Sequence, residues 1–162
     1  MQTFLPLATT DFSAIAKTLD NKRLNKQALE GWQILMTLVE LDPAGNHRIP
    51  KGWVNHPAVK MWRGHETALL QYINAMVIEW KSRGFNSTIG DKAINTYNRA
   101  ADLGLIGPYT YPSWALDSTL FEQIAATHRQ ALLVKEYPWY SQFEWPEDSG
   151  IAPTEYQYLW PI

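Results

Sequence analysis

The stretch HPAVKMWRGHETALLQYINAMVIEWKSRG, residues 56–84, decides the fold, because it reads as a single long helix. Pro57 suits a first helical turn, where its missing N–H costs nothing, and Gly84 suits a C-terminal cap. Between them Val59, Trp62, Leu69, Ile73, Met76, Val77 and Trp80 line one side at helical spacing. Upstream, after Asp20, a second stripe of Leu24, Ala28, Trp32, Leu35 and Val39 ends near Asp42-Pro43, which predicts a helix of about five turns. Phe12, Ile15, Ala16 and Leu19 follow the capping pair Thr10-Asp11 and predict a short first helix. Downstream, residues 91–103 predict another helix stopped by Gly104. Residues 119–135 predict a last one, with Thr119 and Glu122 at capping-box spacing and Phe121, Ile124, Ala125, His128 and Leu132 on its apolar face. Residues 44–54 read as a loop, and Gly107-Pro108 and Tyr111-Pro112 break the chain. Alternating strand patterns are nearly absent. The expectation is an all-α, single helical domain spanning residues 1–162.

Composition agrees with one core. The chain has 162 residues and 18.6 kDa, 46% apolar and 19% charged, the balance of a globular domain. The absence of cysteine excludes disulfides, thiolate metal sites and a cysteine nucleophile. Apolar runs fall short of the roughly 20 residues of a membrane span, and Met1-Gln2-Thr3-Phe4 lacks a basic signal-peptide start. A cytoplasmic protein that does not enter a membrane is expected. Fourteen Lys plus Arg face 16 Asp plus Glu, a net charge of −2, so bulk charge does not mark a nucleic-acid binder. Residues 1–66 nevertheless hold 8 basic and 6 acidic residues, against 6 and 10 in the remainder. Any anion-binding surface is therefore expected in the first half. Of 21 aromatic residues, 8 lie in residues 137–162 among prolines, which reads as an ordered, irregular aromatic tail packed onto the helices.

At 100° per residue, Arg23, Lys26, Gln27 and Glu30 share a narrow sector of the second helix, opposite Trp32 and Leu35. This is either an anion-binding strip with an acid/base group beside it or a solvated face carrying a Lys26–Glu30 pair. Glu66 falls inside the apolar stripe of the long helix, where a carboxylate needs a partner or a raised pKa. It is either a site-organising group or half of a buried pair with Arg or His. Lys60 and Arg63 flank the same helix and either extend the positive strip or are solvated. His128, followed by Arg129, is either a hydrogen-bonded core histidine or a ligand, and His56 before Pro57 suits a helix cap. No His-x-x-x-His spacing, Gly-rich phosphate cradle or Gly-x-Ser-x-Gly elbow occurs. Neither metal nor cofactor is expected. Amine or carboxylate chemistry remains: an α-amino group, with a reference pKa of about 7.7–8.0, is partly neutral near pH 7 and can act as a Schiff-base nucleophile.

Four stretches in order carry a resemblance: LDNKRLNKQALE at residues 19–30; NHPAVKMWRGHE at 55–66 leading to EWKSRGF at 79–85; HRQALLVK at 128–135; and YPWY at 137–140. Together they resemble the pyrimidine-dimer DNA glycosylase family of the endonuclease V type, and within it a bacterial branch beginning Met-Gln-Thr-Phe-Leu-Pro. The resemblance implies an all-α DNA glycosylase/AP lyase acting on damaged or abasic DNA. It assigns the nucleophilic amine to Met1 or Gln2 and the catalytic carboxylate to Glu30. It implies DNA contacts from Arg23, Lys26, Lys60, Arg63, His128, Arg129 and Lys135, with His56, Trp62, Glu66 and Tyr140 supporting the site. Trp or Tyr faces would stack on an extruded base. Gln2 is bulky where the family exposes a small residue after loss of methionine, so Met1 is expected to stay and to carry the amine. Leu29 and Gln33 stand where the family has basic residues beside the glutamate, so duplex affinity is expected to be weak and salt-sensitive. Two other readings are a non-catalytic nucleic-acid- or protein-binding module on the same scaffold and a small-molecule N-glycosidase or lyase.

Overall fold

A computed structural model describes residues 1–162 as eight α-helices with no strand. In chain order these are α1 (Phe12–Thr18), α2 (Asn21–Val39), α3 (Pro57–Lys60), α4 (Glu66–Ser82), α5 (Ile89–Asp102), α6 (Ser113–Leu116), α7 (Ser118–Lys135) and α8 (Tyr137–Tyr140). Asp11 caps α1, its Oδ1 accepting from Ala14 N at 3.3 Å. The apolar stripe of α2 lies wholly inside, with Leu24, Ala28, Trp32, Leu35 and Val39 all buried against α4 and α5. Gly31 makes that approach possible, because a Cβ there would stand 2.6 Å from Ile73 Cγ1 of α4. No helix is long and apolar enough to cross a membrane.

The long helix expected over residues 56–84 is two helices. After α3 the chain makes tight turns, Trp62 N–H donating to Val59 O at 3.2 Å, Arg63 to Lys60 at 3.1 Å and His65 to Trp62 at 2.9 Å. Gly64 sits at φ +81, a conformation that side chains other than glycine's rarely adopt, and it redirects the chain into α4. Successive i→i+3 turns preserve a near-helical side-chain period, so Val59 and Trp62 stay buried with Leu69 and Ile73 although the helix is broken. Glu66 is therefore the first residue of α4, not a mid-helix position. The last long helix, α7, is capped by Asp117, whose Oδ1 accepts from Leu120 N at 3.0 Å, and Thr119 lies inside its first turn.

The aromatic tail is ordered and closes the molecule. Tyr140, Phe143 and Trp145 stack, with Phe143–Trp145 centroids 5.2 Å apart and Tyr140–Trp145 centroids 5.6 Å apart. The Tyr140 hydroxyl donates to Asp20 Oδ1 and accepts from Asp20 N, and Trp139 Nε1 donates to Thr18 O at 2.8 Å. These bonds tie residues 139–145 to the α1–α2 junction.

Candidate active site

Residues 2–6 form no regular element, yet they run beneath the surface, and buried amides off a helix or sheet need other partners. Side chains from three helices supply them. Phe4 N–H donates to Gln27 Oε1 of α2 at 2.7 Å, and Tyr72 of α4 places its hydroxyl 2.9 Å from the same oxygen and 2.8 Å from Phe4 O. Burial first, then the Glu30 charge, pushes the Tyr72 phenol well above its ordinary pKa, so it stays a neutral donor. Leu5 N–H donates to Nδ1 of His128 in α7 at 2.8 Å. Burial pushes His128 down to about 3, so the ring is neutral and carries its proton on Nε2. Trp62 Nε1 donates to Thr3 Oγ1 at 2.9 Å, and Arg129 donates to Pro6 O at 3.1 Å while held by Glu122 and Glu147.

This clamp fixes the next residue against a carboxylate. Gln2 N–H donates to Glu30 Oε2 at 2.9 Å, and Glu30 Oε1 lies 3.7 Å from Lys26 Nζ. The Met1 nitrogen is three bonds from the Gln2 nitrogen, which places it within about 6.5 Å of Glu30 Oε2 from bond geometry alone. His56 senses both groups: burial lowers its pKa, the N-terminal ammonium lowers it further, and Glu30 opposes them. Met1 and Glu30 share a cleft of about 340 Å³ with Lys22, Arg23, Lys26, Lys135, Tyr156 and Tyr158. Arg23 is shared between Asp20, at 3.3 Å, and Glu136, at 3.6 Å. Lys135 lies 5.0 Å from the Tyr156 ring centroid, and its hydrogen bond lowers the Tyr156 pKa. Tyr158 moves the other way, through its own burial first and then the neighbouring Tyr156.

Met1 also lines a second cleft, of about 400 Å³, further along α2 beside Gln33, Met36 and Thr37. Its cations are Arg48 and Lys51, Trp53 stands at its edge, and no carboxylate lines it.

The expected site residues thus separate. Met1, Gln2, Arg23, Lys26, Glu30 and Lys135 meet in one cleft. Trp62 and His128 support it from inside as clamps on the N-terminal segment, and His56 caps α3, Nδ1 accepting from Ala58 N at 3.1 Å. The structure corrects the other placements. Arg129 and His128 are buried, Arg129 in ion pairs and His128 on Leu5, so neither presents itself to a phosphate. Tyr140 is fully buried on Asp20 and offers no stacking face. Glu66 accepts from Gly107 N–H at 3.0 Å; its partner is a backbone amide, not Arg or His, and it lines neither cleft. Lys60 and Arg63 line neither cleft, and Arg63 instead donates to Val54 O at 2.9 Å. Sequence reading missed Lys22, one turn before Lys26, and the tail residues Tyr156 and Tyr158, which only folding brings to Glu30. It placed Gln27 on the right face without its role as acceptor.

No curated protein and no solved structure matches the chain. The family model of the pyrimidine dimer DNA glycosylases matches residues 1–93, more than half of the chain and the segment holding Met1, Gln27, Glu30, Trp62 and Tyr72. The chain therefore belongs to the pyrimidine dimer DNA glycosylase family.

Proposed function

We propose that the protein is a DNA glycosylase with AP lyase activity, in which the Met1 amine is the nucleophile and Glu30 the catalytic carboxylate. The observation that carries the reading is the Gln2 N–H bond to Glu30, which keeps the start of the chain beside an acid in a largely basic cleft. The neutral amine attacks C1′ of the target deoxyribose, and the glycosidic bond breaks with its electron pair leaving on the base. The sugar ring opens to an imine on the Met1 nitrogen. Loss of a C2′ proton then expels the 3′ phosphate and nicks the strand. Glu30 stabilises positive charge developing on the sugar and relays protons in the later steps. Lys22, Lys26 and Lys135 hold phosphates on either side, and the Tyr156 and Tyr158 rings offer stacking area.

The test is borohydride trapping on a duplex bearing an abasic site. A covalent adduct is expected with the unmodified protein, mapping to residue 1, and it should vanish when the amine is acetylated and fall by at least 100-fold in Glu30→Gln. The Lys26–Glu30 ion pair favours the second reading, a binding module in which Glu30 is a surface partner only. Absence of any adduct from folded protein would overturn the amine chemistry and favour that alternative.

A further inference from the structure

The second cleft is unlike the first in its chemistry. Met36, Leu41 and Pro50 give it an apolar floor, and Arg48 and Lys51 give it two cations that form no ion pair within the molecule. Trp53 is 50% exposed beside them, although indole surface is costly to leave in water. The loop that carries these groups is braced. Arg48 N–H donates to Glu40 O at 2.8 Å, Arg63 holds Val54 O at 2.9 Å, and His56 packs edge-on against Trp53 with centroids 5.1 Å apart. A half-apolar cleft of about 400 Å³ falls within the roughly 300–1,000 Å³ that small-ligand sites span.

We propose that this cleft is a nucleotide-binding site, seating one nucleobase against Trp53 with the phosphate of that nucleotide on Arg48 and Lys51. An aromatic face, an apolar floor and unpaired cations together match a ligand that is flat at one end and anionic at the other. The Glu30 cleft differs in carrying a carboxylate and in having Arg23 and Lys26 already in ion pairs. Gln33 and Thr37 on the α2 flank supply polar groups for a base edge. Met1 belongs to both clefts, so a base held here leaves its sugar facing the amine and Glu30. The inference thus rests on the amine reading for its catalytic meaning and deepens it. The site takes the base of the attacked nucleotide.

Isothermal titration calorimetry of the full chain with deoxynucleoside 5′-monophosphates tests this directly. Inorganic phosphate and the unphosphorylated deoxynucleosides serve as separate probes. Each monophosphate should bind at least tenfold more tightly than either probe. Trp53→Leu should weaken binding fivefold or more, and the double change Arg48→Gln with Lys51→Gln tenfold or more. Lys60→Gln, which lies outside both clefts, should bind as the unmodified protein does. These positions are surface residues, and far-UV circular dichroism verifies that each variant is folded. The proposal is overturned if no monophosphate binds at millimolar concentration, if phosphate alone binds as well, or if the Trp53 and Arg48/Lys51 variants bind unchanged. Borohydride trapping is independent of this measurement. Adduct without nucleotide binding sinks the base site alone, and nucleotide binding without adduct sinks the amine chemistry alone.

Discussion

Gln27 and His128 illustrate how single residues set the position of the reacting end. Gln27 Oε1 accepts from Phe4 N–H and lies beside the Tyr72 hydroxyl, all buried. Gln27→Leu leaves the buried Phe4 amide without an acceptor, at a cost of about 1–3 kcal/mol, although the Tyr72 hydroxyl keeps Phe4 O; Gln27→Glu keeps an oxygen there. Chemical denaturation should show that loss for Leu, and the trapping rate should fall more than the stability change explains. His128 makes a pH prediction. Its folded pKa of about 3 lies below its ordinary 6.5, so unfolding takes up a proton between those values. Its contribution is fully present above pH 6.5 and is lost as the pH falls toward 3, at about 1.4 kcal/mol per unit. His128→Asn retains an acceptor for Leu5 N–H without a titrating ring. Subtracting its stability-versus-pH curve from that of the unmodified protein should reveal the slope, and parallel curves would refute it.

Among elements, the α2–α4 pair governs the site, because α2 carries Gln27 and Glu30 while α4 carries Tyr72. Their close approach runs through Gly31, next to Glu30. Gly31→Ala forces a methyl into Ile73, and overpacking of this kind costs about 1–3 kcal/mol. Thermal unfolding should register it as a lower Tm, with a further loss of trapping if Glu30 shifts; an unchanged Tm would show that Ile73 yields freely. The helices themselves were legible from spacing, since α1, α5 and α7 lie within a residue or two of the expected boundaries, while α2 stops at Val39, short of Asp42-Pro43, where Glu40 turns left-handed. The break between α3 and α4 was not, because tight turns around Gly64 keep Val59, Trp62 and Leu69 on one side as an unbroken helix would. The misreading of Glu66 followed from that, since its environment is set by Gly107, 41 residues downstream.

For the whole molecule, the tail and the charge distribution decide how DNA is met. With Lys22, Lys26 and Lys135 as the cleft's available cations beside a net charge of −2, about three phosphates are neutralised. The logarithm of duplex affinity should then fall against log salt with a slope of about −3. A slope near zero would remove the phosphate contacts proposed here. Leu159 N–H donates to Thr127 Oγ1 at 3.2 Å and Gln130 donates to Glu155 O at 3.3 Å. Beyond these, Lys135 lies over the Tyr156 ring and Tyr158 packs edge-on against Phe4 and His128; the helices pack on one another without residues 149–162, so a chain ending at residue 148 should keep its helical circular dichroism. It should lose the Tyr156 and Tyr158 surfaces and bind the abasic duplex at least fivefold more weakly; unchanged binding would exclude the tail from the interface.

Helical periodicity, the glycine and proline punctuation and the Arg23–Lys26–Glu30 face are local properties of the chain, and the sequence alone determined them. An i, i+3, i+4 pattern is enforced wherever one face must leave water. What only the tertiary structure decided is which distant groups converge: residue 1 with Glu30, Leu5 with His128, and Tyr156 and Tyr158 with Lys22 and Lys26. It also decided which charges are spent internally, such as Arg129 on Glu122 and Glu147. Those outcomes depend on contacts between residues far apart in the chain and on burial, and neither leaves a periodic trace in the order of the amino acids.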